Sequence, residues 1–83
     1  MMEIKILGSG CANCQKVEQM VREAVGEAGM EADIEKVSDM MKIVQYGVLG
    51  TPAVVVDGQV KCAGKIPRKE EILAWIGAAA HRP

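Results

Sequence analysis

Polar and apolar residues alternate at the start of the chain. Met2, Ile4 and Ile6 fall on one side, Glu3 and Lys5 on the other, and Leu7 closes the run. That period of two predicts a strand over Met2 to Leu7. Gly8-Ser9-Gly10 then interrupts the pattern and lets the backbone turn tightly. From Ala12 to about Ala28 the period changes: Val17, Met20, Val21, Ala24, Val25 and Ala28 recur at helical spacing, with charged and amide residues between them. Gly29 is the candidate stop. Ala32, Ile34 and Val37 alternate with Asp33, Glu35 and Lys36, predicting a second strand at about Glu31–Val37.

Ser38 is the candidate N-cap of a second helix running from about Asp39 to Tyr46. Its expected buried side comprises Met40 or Met41, Ile43, Val44 and Val48. Thr51-Pro52-Ala53-Val54-Val55-Val56 predicts a buried strand whose proline stands at its first residues. Asp57-Gly58 is a hairpin signal, and Gln59 to Ala63 is the returning strand. Counting back from that turn places Ala53 opposite Cys62. Pro67 suits the first position of a last helix, in which Ile72, Leu73, Trp75 and Ile76 face inward, ending near Gly77. Residues 78–83, including His81, read as a fraying tail, so the expected domain is 1–77.

A strand, helix, strand, helix order predicts parallel pairing through right-handed crossovers, followed by an antiparallel hairpin and a last helix. Eighty-three residues make one small domain. With Tyr46 and Trp75 as its only aromatic residues, its core must be aliphatic. A net charge of −1 gives no reason to expect nucleic acid or an anionic membrane as partner. The apolar runs are far short of a membrane span and the first residues do not form a signal-peptide core, so cytoplasmic residence is the expectation. No heptad or long apolar patch is visible, which makes a monomer the default.

Candidate chemistry sits where the first strand meets the first helix. Cys11 and Cys14 flank Ala12-Asn13 in a Cys-x-x-Cys motif. At that helical spacing their Cα atoms lie roughly 5–6 Å apart, within the range a disulfide spans. A helix start offers unpaired N–H groups and the positive end of the macrodipole, so Cys11 is placed to be a thiolate. Three cysteines, an odd number, argue against a structural disulfide framework. Two chemistries fit the motif: dithiol exchange, and soft-metal binding of Cu(I) or Zn through the same thiols. Cys62 is most simply a small apolar filler, with a third redox or metal thiol as the alternative.

Gly10-Cys11-Ala12-Asn13-Cys14, the Thr51-Pro52-Ala53 strand start with its valine run, Asp57-Gly58 and Gly64, in this order, resemble the thioredoxin-like superfamily. The likeness is to the small archaeal and bacterial "redox-active disulfide" proteins, and it covers roughly residues 2–77. It implies an α/β minimal thioredoxin fold, βαβαββα, with a mixed four-stranded sheet flanked by three helices. It further implies a thiol-disulfide oxidoreductase that reduces protein disulfides without a bound cofactor. On this resemblance Cys11 is the nucleophile and Cys14 the resolving thiol. Pro52 is a cis-proline beside the dithiol, and Thr51 offers its backbone to the substrate, with Gly10, Ala12 and Asn13 at the same surface. The implied partners are a disulfide-containing target protein and an upstream thioredoxin-reductase-like donor. The chain differs from ordinary thioredoxins in having no Trp before the dithiol and in the Ala12-Asn13 pair. A redox-inactive interaction domain on the same fold is the third reading.

Overall fold

The computed structural model describes residues 2–8, 12–48 and 50–80. In chain order these form β1 (Met2–Leu7), α1 (Ala12–Ala28), β2 (Ala32–Val37), α2 (Met40–Gln45), β3 (Ala53–Val56), β4 (Gln59–Ala63) and α3 (Lys69–Ala80). The four strands make one mixed sheet in the order β2-β1-β3-β4. β1 and β2 are parallel, as the intervening helix requires, while β3 runs antiparallel to both β1 and β4. The fold is the minimal thioredoxin architecture expected from the element order.

The alternation in β1 sorts the core into two layers. Met2, Ile4 and Ile6 join Val54, Val56 and Cys62 on the face packed by Val17, Val21 and Ala24 of α1 and Ile72 and Ile76 of α3. Leu7, Val37, Ala53 and Val55 belong to the opposite layer with Ile43 of α2, flanked by Tyr46 and Val48. β3 is buried at every position because it is central and covered on both sides.

The β3–β4 turn depends on backbone that few residues tolerate. Asp57 and Gly58 have φ of 49° and 83°, the paired positive values of a type I′ turn. Asp57 also ties the hairpin to β1: its N–H donates to the Glu3 carbonyl at 2.8 Å and its Oδ1 accepts from the Glu3 N–H at 2.9 Å.

Several expectations need correction. Met40, Met41 and Val44 are not buried; they are 63%, 73% and 66% exposed. The helix is six residues long and reaches the sheet through Ile43, so only a narrow stripe is covered, and the neighbouring stripe of Met40, Met41 and Val44 projects away. Its N-cap is Asp39 and not Ser38; Asp39 Oδ1 accepts from the Met41 N–H at 2.9 Å. Cys62 lies opposite Val54 and not Ala53, because the ladder slips between Val54 and Val55. The extra residue is Lys61, in a β-bulge that a simple count from the turn does not register. One residue of slip moves a side chain to the other face, which sends Cys62 to the side of α1 and α3.

Pro52 precedes β3, which starts at Ala53. Pro67 is buried ahead of α3, and Arg68 caps the helix: its carbonyl accepts from Ile72 N–H at 3.1 Å while its N–H donates to Glu71 Oε1 at 3.0 Å. α3 continues to Ala80, past the expected end near Gly77, carried by the alanine run.

Candidate functional site at one end of the sheet

The register brings four chain segments to one end of the sheet. Leu7, the last residue of β1, pairs with Val37 at the end of β2 and with Ala53 at the start of β3, and Ala53 in turn pairs with Ala63 at the end of β4. The segment entering α1, the segment entering α2, Thr51-Pro52, and Gly64 onward therefore meet there. Gly10 and Cys11 lie outside the described residues; Cys11 immediately precedes Ala12, the first residue of α1.

Cys14 is on the inner side of the first turn of α1 and is 4% exposed. Its position is set by what lies under it. A Cβ added to Gly8 would fall on Cys14 Sγ and come within 3.1 Å of Cys14 Cβ and 4.0 Å of Thr51 Cβ. The thiol is thus seated on the bare Cα of Gly8, with Thr51 beside it. Gly8 is itself held by its N–H, which donates to the Val37 carbonyl at 2.9 Å. Further along α1, Val17 and Val21 are fully buried and fix the helix on the sheet. Ala12 and Asn13 are exposed at the helix start.

The Thr51-Pro52 peptide bond is cis. Pro52 is buried and Thr51 is exposed, so the latter is accessible beside the seat of Cys14. Two glycines hold this segment. Gly64, at φ 76°, donates its N–H to the Pro52 carbonyl at 2.9 Å. A Cβ on Gly50 would come within 3.2 Å of Gly64 Cα, so the two backbones pack directly on each other.

Cys62 is a free, buried thiol on β4. Burial pushes it up from the ordinary thiol range; a hydrogen bond with the Val54 backbone and the Lys65 charge work the other way, and Glu71 adds to the rise. That environment keeps it protonated and packed, the behaviour of a small apolar filler. Among the described residues no group of three or more His, Cys, Asp or Glu side chains is arranged to hold a metal ion. Sequence reading marked Cys14, Thr51 and Pro52, but it took Gly8 only as part of a turn. The seat it provides for Cys14, and the Gly50–Gly64 contact, depend on chain segments far apart in sequence.

A mixed four-stranded sheet with two helices on one side and one on the other, a cysteine in the first turn of α1 and a cis-proline ahead of β3 define the thioredoxin-like class. The sequence profile of the Thioredoxin domain family matches residues 2–77, and the chain belongs to that family. It is 47% identical over 72 residues to a protein named Thioredoxin from Methanothermobacter thermautotrophicus, covering 87% of this chain and 94% of that one. A Thioredoxin from Methanocaldococcus jannaschii is 42% identical over 72 residues, covering 87% and 83%. A Probable Thioredoxin, also from Methanothermobacter thermautotrophicus, is 34% identical over 69 residues, covering 80% of each. No helix among the described residues is long and apolar enough to cross a membrane.

Proposed function

We propose that this chain is a thiol-disulfide oxidoreductase that reduces disulfides in proteins by cycling Cys11 and Cys14. The observation that carries the reading is the seat of Cys14: a nearly buried thiol held against Gly8, with exposed Thr51 alongside. Membership of the thioredoxin family supports it.

In this reading Cys11 is the attacking thiolate, favoured by the unpaired N–H groups at the start of α1. It displaces one sulfur of the target disulfide as a thiolate and forms a Cys11–target mixed disulfide. Cys14 then loses its proton and attacks Cys11 Sγ, releasing the second target thiolate, which takes up a proton. Two electrons have passed to the target and the protein leaves as the Cys11–Cys14 disulfide. Thr51 and Pro52, with Gly10, Ala12 and Asn13, form the surface against which the target segment lies. The dithiol carries the electrons, so no bound cofactor takes part. A reductase of the thioredoxin-reductase kind returns the pair to the dithiol. The protein works as a cytoplasmic monomer.

The test is turnover of a protein disulfide at pH 7 with Cys11→Ser and Cys14→Ser beside the wild type. Wild-type turnover, a dead Cys11→Ser and a Cys14→Ser variant that accumulates as a mixed disulfide is the expected result. Absence of exchange in the wild type, with copper or zinc held through the same cysteines, would replace this reading with metal transfer.

A further inference from the structure

β2 is an edge of the sheet, and among the described residues no strand pairs with its outer side. The Val37 carbonyl turns inward to the Gly8 N–H, so by the alternation of a parallel ladder Asp33 and Glu35 also bond toward β1. Ala32, Ile34 and Lys36 therefore direct their N–H and C=O groups outward. Folds commonly blunt such an edge. The other edge, β4, is interrupted by the bulge at Lys61, whereas β2 matches β1 over six consecutive pairs with no bulge and no proline.

Beside this edge, on the side of the sheet that α1 covers, runs an open groove of about 520 Å³. Val25 and Gly26 of α1, Met30, and Ala32 and Ile34 of β2 line it, and Arg22 and Glu31 complete the lining. Gly26 lies inside α1 without a positive φ, where alanine would make the stronger helix. A Cβ placed there would meet nothing within 4 Å, so no contact inside the chain calls for glycine. The missing side chain keeps the groove open next to the unpaired strand edge.

The charges along the edge say what fits it. On the α1 side, Arg22 and Lys36 are both paired with Glu18, at 3.0 and 3.5 Å. On the other side, Glu35 is paired with Lys5 at 3.7 Å, and Lys42 of α2 lines the same hollow. Asp33 stands beside Glu3 in the register, and the Asp57 carboxylate is bound to the Glu3 N–H. Neither Glu31 nor Asp33 is in an ion pair among the described residues. The start of β2 is thus left negative. A second copy of the strand does not satisfy it. In two-fold antiparallel pairing, centring on Asp33 or on Glu35 sets that residue against itself, and centring on Ile34 sets Asp33 against Glu35. Each register opposes like charges.

We propose that the outer edge of β2 is a strand-addition site for an extended segment of a partner protein, with apolar residues toward the groove and a Lys or Arg facing Asp33. Main-chain bonds to Ala32, Ile34 and Lys36 hold the segment, while the groove and Asp33 select it. The inference is independent of the dithiol reading.

The experiment measures, by fluorescence anisotropy, the binding of short labelled peptides without cysteine to wild type, Gly26→Leu and Asp33→Lys. One peptide alternates Val with Thr and Lys, and a second has Glu in place of Lys. Two more are the first peptide N-methylated on alternate amides, one in each frame. Wild type is expected to bind the first peptide, with NMR shifts at the Ala32, Ile34 and Lys36 amides. N-methylation in one frame should abolish binding and in the other leave it, because only every second amide of an added strand faces β2. Gly26→Leu, which fills the groove, should weaken binding about tenfold. Asp33→Lys should weaken it about threefold, an effect that shrinks as salt increases, and should turn the preference toward the Glu peptide. Both positions are exposed, so a melting temperature no lower than that of wild type serves as the folding control.

Equal affinity of wild type and Gly26→Leu for the first peptide would overturn the inference. Equal binding of the two N-methylated frames would overturn it too, because the contact would then not be a strand ladder. A wild type that binds none of the peptides would do the same. Wild-type dimers that Gly26→Leu and Asp33→Lys dissociate would reassign the edge to a second copy of the chain.

Discussion

Replacing Gly8 by alanine tests the packing on which the candidate site depends. Gly8 has no positive φ to defend, so alanine is permitted by its backbone and, with nothing above it, would stabilise slightly by restricting the unfolded chain. What stands above it is Cys14 Sγ, on which the new methyl group would fall, with Cys14 Cβ only 3.1 Å away. Carbon atoms in good contact sit about 3.5–4.0 Å apart, so one side must move. Helix α1 cannot lift easily, because Val17 and Val21 are fully buried beneath it. The relief available is rotation of the Cys14 side chain out of its seat, with local displacement of the first turn. Overpacking of this kind costs about 1–3 kcal/mol. In a domain of this size about 2 kcal/mol lowers the melting temperature by about 8–16 °C.

The assay is thermal unfolding of Gly8→Ala, Cys14→Ala and the double variant. If the clash is with the thiol, deleting the sulfur should reduce the cost of Gly8→Ala to below about 1 kcal/mol, a coupling of about 1 kcal/mol or more. Gly8→Ala should also slow the resolving step, so that mixed disulfide accumulates, because the displaced Sγ no longer lies where the proposed attack on Cys11 begins. Equal penalties for Gly8→Ala with Cys14 intact and with Cys14→Ala already in place would refute the reasoning, since the cost would then lie in the backbone and not beneath the thiol.

Two further outcomes follow from the packing. Ile43 is the buried residue that holds α2, and Ile43→Ala should cost about 2–3 kcal/mol; hydrogen exchange should show the α2 amides losing protection before those of β3, and uniform loss across the sheet would contradict the anchoring role. The Cys62 thiol is pushed up by burial, so the folded chain holds its proton more tightly than the unfolded chain, where a cysteine titrates near about 8.5. Its contribution is whole below that value and is lost as pH rises through the raised folded value. Urea midpoints between pH 7 and 10 should fall less steeply in Cys62→Ala than in wild type, and parallel curves would show that the thiol plays no part in the alkaline loss.

How far the chain was legible depended on the range of the interaction involved. The alternation in Met2–Leu7, the helical spacing of Val17, Val21 and Ala24, and the Asp57-Gly58 turn are local, and they identified the elements in the order β1-α1-β2-α2-β3-β4-α3 and the inward faces of β1 and α1. The Cys-x-x-Cys pair and Thr51-Pro52 are also local, and they marked the residues of the candidate site. Tertiary structure alone decided three things. Whether an apolar stripe is covered depends on what packs against it, and a helix as short as α2 buries Ile43 while leaving Met40, Met41 and Val44 in solvent. The partner of Cys62 depends on the bulge at Lys61, which puts Val60 and Cys62 on opposite faces although their sequence spacing is that of one face. The seat of Cys14 depends on the missing side chain of Gly8, brought beneath it only when α1 folds back over the end of β1. Periodicity records which residues share a face; only packing in three dimensions determines what that face meets.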